Sequence, residues 1–168
     1  MRKFALGILM LFLTACATGS NSNSNYSSND LMFAAMMVPH HEQAIAMSDL
    51  ALKNSSNSEV IAMATAIKNA QAPEIEQMNS WGDLDMGSHG GHGMSGMLSD
   101  DELKDLESAT GGEFDQLFLA GMIKHHEGAI EMAEMVIDSQ NTEVSTLANS
   151  IIKAQKAEIG KMKELLKR

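Results

Sequence analysis

The sequence predicts an all-α protein, a four-helix and largely antiparallel bundle made by duplicating one helix-turn-helix unit. Three observations carry this. Two long stretches repeat one another, their apolar residues recur at helical spacing, and no strand-like alternation appears. DLMFAAMMVPHHEQAIAM begins at Asp30 and DQLFLAGMIKHHEGAIEM at Asp115. Phe33 matches Phe118, Met37 matches Met122, His40-His41-Glu42 matches His125-His126-Glu127 and Met47 matches Met132, all 85 residues apart. EVIAMATAIKNAQAPEIEQM from Glu59 then matches EVSTLANSIIKAQKAEIGKM from Glu143 at a spacing of 84, so the turn of the second copy is one residue shorter.

The elements follow in chain order. The first half of each copy is rich in Ala, Met, Ile, Glu and Gln, which favour helix. NSSNS at 54–58 and SQNT at 139–142 are turns, with Ser58 and Thr142 as the expected N-caps. In the second helix Val60, Ala64, Ile67, Gln71, Ile75 and Met78 fall on one face, as do their partners in the second copy. Pro73 stands where the second copy has Ala157, and is expected to kink or interrupt this helix near Ala72. Ser99-Asp100-Asp101-Glu102 is a capping-box pattern opening a short extra helix, which Gly111-Gly112 should stop. One helix pair cannot bury its own apolar stripe, so the two pairs should close on each other about an approximate two-fold. Repeat one is assigned to 30–81, a His/Met/Gly loop to 82–98 and repeat two to 99–168, together one domain over 30–168.

The N-terminus reads as processing signal. Arg2 and Lys3 precede the apolar run FALGILMLFL, which is too short for a finished transmembrane helix, and LTA then leads into Cys16. This pattern is that of a bacterial lipoprotein signal over residues 1–15, with Cys16 as the lipidated residue. Cys16 is the only cysteine, so lipidation would leave neither disulfides nor thiolate ligands. A Ser/Asn-rich tether completes 16–29. The expected location is the cell envelope, lipid-anchored and periplasm-facing, at the outer membrane in a Gram-negative host because Ala17 rather than Asp follows the cysteine. Without Arg2 and Lys3 the chain carries 10 basic against 22 acidic residues, a net charge of −12, which argues against nucleic acid and suits cations.

Soft-metal chemistry is concentrated in the repeats. On a helix, residues three and four apart share a face, so Met37 lies beside His40 and His41, and Met122 beside His125 and His126. Met47 and Met132 lie two turns further on. Adjacent histidines diverge by about 100°, so one of each pair should face the core and the other the flank. The second helix offers Gln71 and Glu74, matched by Gln155 and Glu158, with Met78 and Met162 one turn on. Glu42, Glu74, Glu127 and Glu158, with Gln71 and Gln155, are expected to hydrogen-bond ligand histidines from behind rather than ligate.

A carboxylate di-iron bundle normally carries Glu-x-x-His. None is present; Met37 and Met122 stand where the Glu would be, moving preference from iron toward copper or silver. Methionine at helical spacing also fills cores, but 13 of the 15 methionines survive processing in a chain only 4% aromatic, a bias packing does not require. The loop DMGSHGGHGMSGM at 85–97 adds Met86, His89, His92, Met94 and Met97 as auxiliary, exposed ligands.

The His-His-Glu units, FDQLFLAGMIKHHEGAIEMA at 114–133 and the Ala-Gln…Glu-Ile…Met second half resemble the bacterial secreted family catalogued as domain of unknown function 305. The resemblance covers about 30–168. It implies a ferritin-like bundle, and for some members periplasmic copper binding and copper resistance through Met and His. Carried over by position, the matched residues are Met37, His40, His41, Met47, Met122, His125, His126 and Met132. The expected ligand is copper, Cu(I) ahead of Cu(II), sequestered or handed on to other copper-handling envelope proteins. The alternatives are a ferritin-like di-metal redox enzyme and a non-metal helical interaction module. No catalytic residue is assigned.

Overall fold

Helix caps and the repeat together dictate the element order. The computed structural model describes residues 25–82, 84 and 94–168. The signal segment, Cys16 and the loop residues Met86, His89 and His92 lie outside the described residues. Five helices follow one another: α1 (Ser28–Asn54), α2 (Ser58–Asn79), α3 (Asp100–Ser108), α4 (Gly111–Glu134) and α5 (Thr142–Leu165), with no strand among the described residues. The all-helical expectation is met.

Local chemistry sets the ends. Ser27 opens α1 with a reciprocal capping box to Asp30. Asn57 and Asn141, rather than Ser58 and Thr142, are the N-caps of α2 and α5, their side chains accepting from Glu59 N and Glu143 N. Asparagine caps as well as serine does, and here it sits one residue earlier. The Ser99 capping box opens α3 as expected. Gly111-Gly112 does not stop that helix, which ends at Ser108; the glycines instead begin α4, with Gly111 at a φ of +60°. Pro73 does not interrupt α2, which is continuous through it. Pro73 and Asn69 are both exposed, so the Asn69 carbonyl that loses its donor faces water. Pro39 lies inside α1 in the same way. Both prolines belong to the first copy; Lys124 and Ala157 occupy the matched positions.

Antiparallel hairpins α1–α2 and α4–α5 form by close packing and meet mainly through α1 and α4, while α2 and α5 touch lightly. Hydrogen bonds at both ends fix α1 and α4 antiparallel: Ser139 Oγ donates to Asp30 Oδ1 at 2.7 Å, and Ser55 Oγ to Asp115 Oδ1 at 2.5 Å. The core divides in two. One apolar cluster joins Ala44, Met47 and Ala51 of α1 to Phe114, Phe118 and Met122 of α4, with Met162 of α5. The other joins Phe33, Ala34 and Met37 of α1 to Met78 and Trp81, with Met132 and Val136. Each such large side chain, once buried, contributes about 1.5–3 kcal/mol before entropy is subtracted. The four repeat histidines are buried but belong to neither cluster.

The repeat breaks at one informative position. Gln43 of α1 corresponds to Gly128 of α4. Gln43 clamps the end of the inter-repeat loop, its Nε2 donating to Leu98 O at 3.0 Å and its Oε1 accepting from Leu98 N at 2.8 Å. Gly128 lets the same segment lie on α4: a Cβ there would stand 2.0 Å from Ser95 O and 2.4 Å from Ser95 C. Ser95 Oγ adds a bond to Glu131 Oε2 at 2.6 Å. Gly128→Ala is therefore expected to lift the loop and destabilise the protein by about 1–3 kcal/mol in chemical denaturation. Gly112→Ala, whose Cβ meets nothing within 4 Å, should be neutral or stabilising by up to about 1 kcal/mol. Equal stability of the two variants would contradict this packing.

Candidate metal centre

Each repeat histidine owes its position to a different neighbouring element. His40 and His41 differ by about 100° around α1, and α1 packs against both α2 and α4. His41 faces α2, where its Nε2 lies 2.9 Å from Glu74 Oε2. His40 faces α4, its ring centroid 3.7 Å from that of His125, and its Nε2 lies 3.1 Å from Ser95 O. The second copy repeats the arrangement: His126 Nε2 lies 2.8 Å from Glu158 Oε2 on α5. All four imidazoles have 0% exposure, so neither member of either pair faces a flank, contrary to the expectation of one in and one out. Each His-bearing helix is covered on two sides, which the sequence period cannot express.

Hydrogen bonding assigns the tautomers. A carboxylate and a backbone carbonyl only accept, so the Nε2 atoms of His40, His41 and His126 carry the proton. In a neutral ring that leaves Nδ1 with its lone pair. The Nδ1 atoms of these three residues are buried without a protein partner, as are both ring nitrogens of His125. Gln71 Nε2 and Oε1, Gln155 Oε1 and Ser48 Oγ are likewise buried and unpartnered. The two glutamines therefore do not bond the histidines as expected. Such a concentration of unsatisfied polar atoms is rare in a finished core, and lone-pair imidazole nitrogens are what a late transition metal takes.

Electrostatics keeps the central pair neutral. Burial drives the His40 pKa from 6.5 down to about 3, opposed by the bond to Ser95 and reinforced by His41 and His126. Burial likewise holds His125 well below the ordinary range, reinforced by His40. A proton therefore does not compete for these nitrogens at neutral pH.

The remaining expected residues divide clearly. Met37, Met47 and Met122 are fully buried and Met132 nearly so. Met94 and Met97 are half-buried at the loop's return to the helices. Glu74 and Glu158 each contact a histidine, His41 and His126 respectively. Glu42 and Glu127 are exposed, and Glu127 pairs instead with Lys163 Nζ at 3.2 Å. Among the described residues, no three His, Cys, Asp or Glu side chains converge as a metal site. Ser95 was not singled out by sequence, although the Gln43/Gly128 mismatch between the copies marks where its segment docks.

Comparison with known proteins identifies the family. The family model described as "Domain of unknown function (DUF305)" matches residues 30–166. A Streptomyces coelicolor DUF305 protein described as secreted is similar in structure, at TM-score 0.76 and 31% identity over 83% of this chain and 92% of that one. A DUF305 fragment from Deinococcus radiodurans aligns at TM-score 0.74 and 29% identity, over 84% and 97%. CopM in its Cu(II)-bound form aligns at TM-score 0.70 and 34% identity, over 82% and 95%. The Cu(I)-bound and silver-bound forms of CopM also match, each at TM-score 0.67 and 32% identity. No functionally curated protein matches the sequence.

The neutral pair makes stability depend on pH with a defined sign. Below pH 6.5 the unfolded chain takes up a proton that folded His40 refuses until about pH 3, so stability falls as pH falls through that window. His40 alone removes about 2 kcal/mol between pH 7 and pH 5 in metal-free protein. The depressed carboxylates Asp30, Glu102 and Glu143 act mainly at lower pH. His125→Leu, which strands no hydrogen-bond partner, should equal or exceed the parent in stability at pH 7 and lose less on acidification. Chemical denaturation at both pH values reads this, and an identical pH slope in the variant would contradict it.

Proposed function

The chain belongs to the DUF305 family, and we propose that it is an envelope protein whose cargo is copper, which it sequesters or hands on, with Cu(I) preferred. The observation that carries the proposal is the duplicated set of buried imidazoles whose Nδ1 atoms have no protein partner. Copper- and silver-bound CopM supports the choice of metal.

In this reading Met37, His40, His41 and Met47, with Met122, His125, His126 and Met132, are the ligand pool. Met94 and Met97, with Met86, His89 and His92, form the auxiliary capture loop. The two hairpins constitute a ferritin-like four-helix bundle over 30–168, tethered through residues 16–29 and lipidated at Cys16 on the periplasmic side of the envelope. The lipoprotein-like N-terminus and the secreted description of the Streptomyces protein support that location. Copper is cargo here, and no catalytic step is assigned.

Metal analysis of protein purified from the envelope, followed by competition with a Cu(I) chelator, tests the proposal. Replacing His40, His41, His125 and His126 with Ala should weaken Cu(I) binding by more than the roughly 10–100-fold that loss of an outer partner costs. Helicity confirms folding of the variant; if it fails to fold, the His125→Leu protein serves instead and should still bind more weakly. Unchanged copper stoichiometry and affinity would overturn the proposal.

A further inference from the structure

The two ends of the seam between α2 and α5 are built from matched residues and finished differently. Where α2 finishes and α5 begins, Trp81 is 3% exposed and stacks on Tyr26 with ring centroids 5.2 Å apart. One carboxylate holds both rings: Tyr26 OH donates to Glu143 Oε2 at 2.8 Å and Trp81 Nε1 to Glu143 Oε1 at 3.1 Å. Gln77 Nε2 donates to the same Oε1 at 2.9 Å. At the spacing of 84 residues, Glu143, Trp81 and Gln77 correspond to Glu59, Leu165 and Lys161. Those three meet again at the opposite end of the seam, where α2 begins and α5 finishes, and line one groove of about 500 Å³. Leucine replaces the indole there, and Gly111, without a side chain, stands 85 residues after Tyr26. Among the described residues no aromatic side chain lines this groove.

We infer that this groove docks a tyrosine side chain, flanked by an acidic residue, on a polypeptide segment of a partner protein. The chain supplies the precedent itself: at the matched end, a segment ahead of α1 lays a tyrosine across the seam and bonds it to the matched glutamate. The groove has the parts to receive another. Ala62 and Ala66 are short and exposed, which leaves room for a ring on the α2 side. Met63 offers a thioether, which packs well against aromatic edges. Glu59 offers the acceptor for the phenol. Its oxygens now meet Arg168 Nη1 at 2.9 and 2.8 Å, but both side chains are more than half exposed, and such surface pairs contribute little. A carboxylate has lone pairs enough to accept from the phenol as well. Lys161 stands where the matched end has neutral Gln77, and Arg168 lies beside it, while Glu164 is held by Lys167 at 2.8 Å. The mouth therefore favours an acid next to the tyrosine. None of the proposed copper ligands lines this groove.

A synthetic peptide of residues 23–30 carrying Asn25→Asp sets an acid beside a tyrosine and serves as the probe. Amide NMR of the metal-free protein follows its addition at millimolar concentration. Shifts should centre on Glu59, Met63 and Leu165. The Tyr26→Phe form of the peptide should bind about tenfold more weakly, through loss of a hydrogen bond to a charged group. Leu165→Trp rebuilds the ring present at the other end, so it should abolish the shifts and raise the thermal midpoint by about 2–4 °C. Ala66→Leu narrows the groove from the α2 side; it replaces Leu165→Trp if that protein fails to fold, with the same expected loss of binding. Absence of shifts, shifts centred on Glu143 and Trp81, equal binding of the two peptides, or undiminished binding by whichever variant folds would overturn the inference. So would N-acetyltyrosinamide binding as tightly as the peptide, which makes the occupant a small phenol. Self-association of the peptide-free protein that the same variant abolishes would overturn it too, because the occupant is then a second copy.

Discussion

Burying four imidazoles inside a helical core is the constraint on which the rest of the structure depends. A buried charge would be far costlier than a buried neutral ring, and burial holds the central pair, His40 and His125, in the neutral form. Buried rings still need partners. Three of the four find one acceptor each, two from glutamates on the neighbouring helix and one from a loop carbonyl. The other nitrogen of each ring is left unsatisfied, as are both in His125. The core is split around this polar stratum into two apolar clusters. A chain optimised for stability alone would fill these positions with Leu or Ile, so packing alone does not account for the unsatisfied polar atoms.

Duplication explains the symmetry, and the departures from it explain the loop. The His–Glu contact is made twice with nearly the same length, and the methionines flanking it recur in matched places. Where the copies differ, at Gln43 and Gly128, one surface gains a two-point clamp and the other gains room for a backbone crossing. Together they bring Ser95 down onto His40. The stretch most obviously rich in Met, His and Gly therefore returns to the body of the protein at the centre of the histidine stratum. A second asymmetry concerns the matched pair Glu59 and Glu143. Glu143 gathers Tyr26, Gln77 and Trp81, whereas Glu59 binds the C-terminal Arg168. The same acid at the start of each second helix thus anchors a different part of the chain.

Much of this was legible in the sequence, for physical reasons that can be named. The helical period and the Ser99 capping box report local energetics, and the structure bears both out. The caps of α2 and α5 were misplaced by one residue because Ser58 and Thr142 are themselves good caps, and only geometry shows that the preceding asparagines bond the first turn. Pro73 is expected to kink or interrupt its helix because its cost is usually decisive; exposure of the freed carbonyl reduces that cost, and α2 continues through it. Gly111-Gly112 looked like a terminator, but glycine tolerates both ends of a helix. For the candidate site, spacing along the helices singles out the buried histidines and the two glutamates they contact, Glu74 and Glu158. The burial of both members of each pair was not, because periodicity describes one face while α1 and α4 each pack on two. Ser95 was invisible because it acts through its backbone carbonyl, which any residue supplies.

The central claim is that His41 and His126 carry their protons on Nε2 and offer Nδ1 to a soft monovalent ion. Nitrogen-15 NMR of ring-labelled histidine measures this directly, first in metal-free protein at neutral pH and then with Ag(I) added. The account predicts protonated Nε2 and lone-pair Nδ1 resonances for both residues, with silver shifting the Nδ1 signals while Nε2 stays protonated. Protonated Nδ1 in the metal-free protein, or a silver-induced shift confined to Nε2, would contradict it.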